Sequence, residues 1–494
     1  MVNYQAPGVY VQEVPSGARA IGQVNTSIAA FVGVAPDQDA LVDELRVLDN
    51  WTQFVDQYVG NATAGTPLSN AVYGFFSNGG SRCYVVNIGA NGSLTGTATK
   101  PTGLTLFEAV DDISMVAAPG FADAESYAAL AAHVEHPLRQ DRMAIMDTVE
   151  KVDDVGALTR AATSGVPVGA RDSGTADERS TADEGPGGDA GSGGGSSGGG
   201  GSGDAGSGDT DEAEASEAED TSEQPAGTEA NDSTPSSSSS ASSDSPDWPD
   251  SPRPAAAGSR EGSAIEASQQ DLGAPQSPGG YTALYFPWIV MIDPVSGKKV
   301  TQPPSGHIAG VWARVDATRG VHKAPANEPI QGAIDLVRRV SRGEQEVLNP
   351  AGVNCIRYFP GEGIRIWGAR TKAPEASEYR YVNVRRLTNM IKESVADGTR
   401  WVVFEPNDHT LWKSIRRDIG AFLTNVWRDG ALLGTTPQQA FFVKCDEETN
   451  PPEVRDAGQV VTLIGIAPVK PAEFVIFKLM QSADNTSETE SAGA

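Results

Sequence analysis

The chain has 494 residues, 39% of them hydrophobic, with 65 Asp/Glu against 37 Lys/Arg and a formal charge of −28. That length allows two or three domains, and the acidity argues against general nucleic-acid binding, because a phosphate backbone repels it. No run of about 18 apolar residues occurs, so no membrane-spanning helix and no direct membrane insertion are expected.

In chain order, Met1 to Val24 reads as an arm, with short β-prone pieces such as Val9-Tyr10-Val11 set between Pro7, Gly8, Pro15 and Gly17. Residues 25–163 read as the first part of an α/β body. Ser27–Val34 and Arg82–Ile88 are predicted buried strands. Between them Ser69–Phe76 has helical spacing and meets a C-cap signal at Asn78-Gly79-Gly80. A strand at Ile113–Gly120, a helix at Ala124–His136 and a strand at Met143–Asp147 follow. Strand and helix in alternation predict crossovers on a largely parallel sheet.

Composition then changes abruptly. Residues 164–279 form an acidic, Gly/Ser-rich insertion: between Arg171 and Gln270 there are 22 Asp/Glu against 4 Arg and no Lys, so this stretch carries −18 of the −28. With so few apolar residues it cannot offset roughly 1–2 kcal/mol of backbone entropy per residue, and disorder is expected. A surface loop tolerates such a length because closure entropy grows slowly. Residues 280–367 are expected to resume the body, starting with a strand at Tyr281–Trp288. Residues 368–471 are expected to form a C-terminal α/β domain. There Tyr379–Glu393 reads as strand then helix, Arg400–Glu405 as a strand, and Thr410–Arg428 as an amphipathic helix with Leu411, Ile415, Ile419, Phe422, Leu423 and Val426 on one face. Ala440–Lys444 and Val460–Ile466 read as strands. Residues 472–494 hold one more β-prone run, Glu473–Leu479, and a polar tail.

The residues with chemical potential lack the company catalysis needs. His307 in Pro-Pro-Ser-Gly-His and His322 beside Lys323 have no partnered nucleophile motif. His133 and His136 share a helix face without a third ligand at a supporting interval. Gly361-Glu362-Gly363 lacks the rest of a dinucleotide fingerprint. Cys83, Cys355 and Cys445 are far apart and not in metal-ligand spacing. The Met1–Gly8 opening lacks the basic-then-apolar order of a secretory signal. A non-enzymatic protein with no cofactor and no metal, in a reduced cytoplasmic setting, is expected.

Several motifs, in order, carry a resemblance. Pro7–Val14 followed by Thr26–Gly33, Leu68–Val72 through Asn78–Val86, Ile113–Gly120, Asp141–Asp147, Pro303–Gly310 running into Arg319–Asn327, Asn349–Asn354 and Gly368–Thr371 together resemble contractile tail sheath proteins of phage-tail-like injection systems. The resemblance covers nearly everything except the acidic insertion. It implies a mixed α+β, sheath-type α/β body with extended N- and C-terminal β arms. It also implies a homo-oligomer of stacked six-membered rings around an inner tube protein, with baseplate and terminal cap proteins as further partners. Contraction of the sheath drives the tube through a target membrane. A static shell or surface-layer protein, or a hydrolase, are the other classes considered.

Arms that are β-prone and flanked by Gly or Pro suit strand addition to an exposed sheet edge in a neighbour. The expected N-terminal donor is Ala18 to Val24, through Ala18, Arg19, Ala20, Ile21 and Val24. The expected C-terminal donor is Glu473, Phe474, Val475, Ile476, Phe477 and Leu479. On sequence alone that run is equally a strand of its own domain, and the resemblance favours donation. The Thr410–Arg428 helix resembles the family's tube-facing element, which makes Lys413, Arg416, Arg417 and Asp418 the candidate inner-tube contact.

Overall fold

The computed structural model describes residues 20–97, 99–137, 139–162 and 271–477. The disorder expected of the acidic insertion falls on residues 164–270, outside the described ones. The body has resumed by Asp271, ahead of the expected Gly280: the Leu272 amide donates to the Ala157 carbonyl, and Gly273 bridges Ala161.

Through the first half the elements run β1 (Ala29–Gly33), β2 (Leu45–Leu48), α1 (Trp51–Tyr58), α2 (Pro67–Ser77), β3 (Cys83–Asn87), β4 (Thr95–Thr97), β5 (Lys100–Gly103), β6 (Met115–Ala117), α3 (Ala124–Glu135) and β7 (Met143–Asp147). After residue 271 come β8 (Thr282–Phe286), β9 (Ile289–Ile292), β10 (Lys299–Gln302), α4 (Ser305–Arg319), β11 (Glu328–Pro329), β12 (Asp335–Leu336), α5 (Arg342–Leu348), β13 (Val353–Phe359) and β14 (Gly363–Trp367). The C-terminal part holds α6 (Val382–Gly398), α7 (His409–Arg428), α8 (Pro437–Ala440), β15 (Phe441–Lys444), α9 (Pro452–Asp456) and β16 (Leu463–Ile466).

A nine-stranded sheet in the order β11-β14-β13-β8-β7-β6-β1-β3-β2 organises the body. Its strands from β13 to β3 are mutually parallel, with antiparallel strands at both margins. Because side chains alternate across a strand, neighbouring residues serve opposite layers. Phe31, Met115, Ile145 and Tyr285 face the core shared with α1, α2 and α4. Val32, Val116, Met146 and Leu284 face the core shared with α3 and α5. Both faces are covered, as a parallel sheet requires.

Helix α4 was not legible in the sequence as a helix. It is buried nearly all round, so it shows no polar stripe, and Gly306 and Gly310 interrupt its helical propensity. Those glycines let it lie directly on α2. A Cβ on Gly306 would come 2.3 Å from the Ala71 Cα, and one on Gly310 2.5 Å from the Phe75 carbonyl oxygen. Helix α2 itself starts on a reciprocal cap, with the Thr66 hydroxyl accepting from the Ser69 amide and the Ser69 hydroxyl taking the Thr66 amide.

The C-terminal part has its own core, formed by Leu387, Met390 and Ile391 of α6 and the apolar face of α7 under the β15–β16 hairpin. The strand expected at Arg400–Glu405 is instead a short helical turn and a loop. Trp401 and Val402 pack partly on this core, while Val403 and Phe404 point to solvent, Phe404 at a φ of 70°. Among the described residues no strand pairs with this run, and its apolar residues settle as a turn. Among the described residues no helix is long and apolar enough to cross a membrane.

Candidate inter-subunit surface

The chain enters the body by a built seat. Ile21 is buried among the α6 and α7 side chains, and a Cβ on Gly398 would meet its Cγ1 at 2.6 Å. The Val24 amide donates to the Ser394 hydroxyl at 3.1 Å. Thr26 donates to Asp316 at 2.6 Å, and the Thr26 carbonyl accepts from Arg386 at 2.9 Å. Arg386 and Asp316 form an ion pair at 2.5 Å with both side chains almost wholly buried, and the guanidinium lies 4.8 Å from the centre of the Trp312 ring. Ile21 and Val24, expected in the donated strand, are therefore seated in their own molecule. Ala20 is exposed, and Ala18 and Arg19 lie outside the described residues.

The other end behaves differently. After β16 the chain crosses back to the body, with the Val469 amide donating to the Ala431 carbonyl and the Val469 carbonyl accepting from Asn383. Glu473, expected in the donor, is instead clamped by Arg370, with distances of 2.9 and 3.1 Å from Nε and 2.6 Å from Nη2. Asn349 donates to the same carboxylate at 2.6 Å and the Tyr381 hydroxyl at 3.1 Å. Burial alone would raise its pKa, but the hydrogen bonds from Arg370, Asn349 and Tyr381 outweigh it and hold the carboxyl below the usual range.

Beyond it, Phe474, Val475, Ile476 and Phe477 are 72%, 70%, 80% and 85% exposed and in no regular structure. Four consecutive large apolar residues in water are unusual for a folded surface. Leu479 lies outside the described residues. Nearby in sequence, β15 and β16 pair only with each other among the described residues. One face of this hairpin packs on α7, while Phe442 and Leu463 on the other are exposed.

On α7, Lys413 is exposed, Arg416 half-buried and Arg417 exposed. Asp418 does not join them. Its side chain is buried, with Arg417 Nε 3.0 Å from Oδ1, so the carboxylate lies beneath the polar face and is no part of it. Position 418 follows the apolar stripe of Ile415 and Phe422, which is why it turns inward.

The residues with chemical potential are dispersed. His307 is fully buried between α4 and α2, beside Gly74, and neither ring nitrogen has a hydrogen-bond partner among the described residues. Burial pushes its pKa down to about 4. His133 is buried in α3 with its pKa likewise near 4, through burial and then the charges of Arg142 and Arg139. His322 sits in the turn after α4. Gly361-Glu362-Gly363 makes the β13–β14 turn, with both glycines at positive φ. Cys83 is buried in β3 with its thiol pushed up by that burial. Among the described residues no group of three His, Cys, Asp or Glu is placed to hold a metal.

What the described residues offer is thus a body with a two-stranded hairpin that has no third strand and an exposed apolar segment in no regular structure. Residues 272–372 match the family model of the phage tail sheath protein central domain, and residues 375–481 that of the phage tail sheath C-terminal domain. The two matched stretches are tail sheath domains. Curated relatives of the chain include the tail sheath protein of Vibrio phage KVP40, 30% identical over 39% of this chain and 28% of that protein. Another is the tail sheath protein of Burkholderia phage BcepMu, 30% identical over 36% of this chain and 38% of that one. The chain spans well under half the length of these relatives. Among solved structures, the sheath complex of the extracellular contractile injection system PVC, in its contracted state, superposes with a TM-score of 0.62 at 22% identity, covering 98% of this chain and 99% of that one. The baseplate structure of the anti-feeding prophage gives 0.61 at 22% identity, covering 97% and 99%. At that identity the likeness establishes a shared sheath-protein fold.

Proposed function

We propose that this sheath protein is the contractile subunit of a phage-tail-like injection system. It polymerises as stacked six-membered rings around an inner tube, stands on a baseplate, and shortens to drive the tube through a target membrane. The observations that carry the reading are the exposed run Phe474–Phe477 and, earlier in the chain, a hairpin with no third strand among the described residues. A two-stranded hairpin is marginal alone, and strand addition from a neighbour would satisfy its open edges while covering the apolar run. Each added main-chain hydrogen bond nets only about 0.5–1.5 kcal/mol, so several per arm are needed to resist rupture during contraction. With Glu473 held by Arg370, the proposed C-terminal donor starts at Phe474. Lys413, Arg416 and Arg417 remain the candidate tube contact. Assembly would take place in the cytoplasm.

The test is electron microscopy of purified protein together with a chain ended after Glu473. Hollow helical tubes from the full chain, and soluble folded subunits without tubes from the shortened one, are expected. Flat lattices from the full chain, or normal tubes from the shortened one, reject the reading.

A further inference from the structure

The Glu473 clamp does more than satisfy a carboxylate. Its receptor is assembled from the end of α5 (Asn349), the segment after β14 (Arg370) and the N-cap of α6 (Tyr381). Each part is itself held. The Arg370 amide donates to Asn354 Oδ1 at 2.7 Å, its carbonyl accepts from Asn354 Nδ2 at 2.7 Å, and its Nη1 reaches the Asn349 carbonyl at 3.1 Å. Asn354 is fully buried in β13. A bidentate arginine on such a support fixes direction as well as position.

On the near side the chain is pinned at Val469 and then stiffened by Pro471. On the far side no Gly or Pro separates Glu473 from Leu479. The apolar run therefore begins at the residue after the anchor, with no flexible spacer. All four of its described members are similarly exposed, so nothing among the described residues chooses which of them face inward once paired. In an extended strand, Phe474 and Ile476 take one face and Val475 and Phe477 the other.

We propose that Asn349, Arg370 and Tyr381 form a receptor for the Glu473 carboxylate that leaves the donated strand without slack, so that the anchor sets its register and the face each apolar residue presents to the neighbouring copy. The inference rests on the strand-donation reading. A slip of one residue exchanges the two faces, whereas a slip of two restores them.

The experiment compares three full-length variants with the native chain: one Thr inserted between Glu473 and Phe474, two Thr inserted there, and the single insertion combined with E473A. Tube formation is followed by sedimentation and electron microscopy, with far-UV circular dichroism confirming folded subunits. The single insertion is expected to raise the protein concentration needed for tubes by about tenfold or more, since a tenfold change in an equilibrium constant is the modest cost of one misplaced apolar contact. The double insertion is expected to recover most of that loss, and E473A to relieve the single insertion by returning slack. Equal behaviour of the two insertions, whether both assemble or both fail, overturns the inference, as does a single insertion that E473A leaves unrelieved. Failure of strand donation itself is read separately, from tubes formed by the chain ended after Glu473.

Discussion

Acidification should loosen the α2–α4 contact through one residue, His307. Its ring is fully buried against Gly74, with both nitrogens unpartnered among the described residues, and its folded pKa lies near 4 against 6.5 for the free side chain. Because the folded value is depressed, the unfolded chain binds the proton first, so stability falls as pH drops below 6.5 and the loss is complete below about 4. From those two values the expected cost of this one group is about 2 kcal/mol at pH 5 and about 3 kcal/mol at pH 4. Asp147, which caps the start of α4 through the Ser305 amide and hydroxyl, works in the opposite direction. Burial raises its pKa to about 7, so its contribution is lost as pH rises rather than falls. The His307 term must therefore be isolated as a difference. H307L keeps similar volume and removes the titration. Urea unfolding of both chains, followed by tryptophan fluorescence at pH 7, 6 and 5, should show native stability falling faster than that of H307L, with the gap widening by about 2 kcal/mol by pH 5. Parallel pH dependence in the two chains would refute the assignment of a neutral, unpartnered imidazole.

Other consequences follow from the packing. G306V should cost about 1–3 kcal/mol, because its side chain has no space over Ala71 and overpacking forces the helices apart. G343A on α5, where nothing lies within 4 Å, should be neutral or stabilising by up to about 1 kcal/mol in the same unfolding assay. R386M should lose about 3–5 kcal/mol by stranding the buried Asp316 carboxylate, and the double change R386M/D316L should recover part of that loss. G398A should unseat Ile21. Hydrogen exchange at the Val24 amide is expected to accelerate by about tenfold, with the α7 amides unchanged; an unaltered Val24 rate would show that the seat does not depend on Gly398.

The amino-acid sequence by itself determined the elements whose pattern is local. The buried runs Ala29–Gly33, Cys83–Asn87, Met143–Asp147 and Thr282–Phe286 are strands because apolar side chains occupy both faces, and α7 is a helix because its apolar residues recur at helical spacing. Tertiary structure decided what depends on neighbours. Helix α4 is helical because α2 accepts its glycines, and a wholly buried helix has no polar stripe to announce it. Arg400–Glu405 has strand composition, but among the described residues no strand pairs with it. Asp418 reads as surface charge until the helix turns it under Arg417. Ile21 and Glu473 have the composition of arms, yet each meets a receptor assembled from residues hundreds of positions away or from three separate elements: Gly398 and the α6–α7 core for one, Asn349, Arg370 and Tyr381 for the other. Local pattern records which face of a segment avoids water. It does not record which distant group will be waiting where the segment ends, and that is what separates an arm's root from the part it can lend.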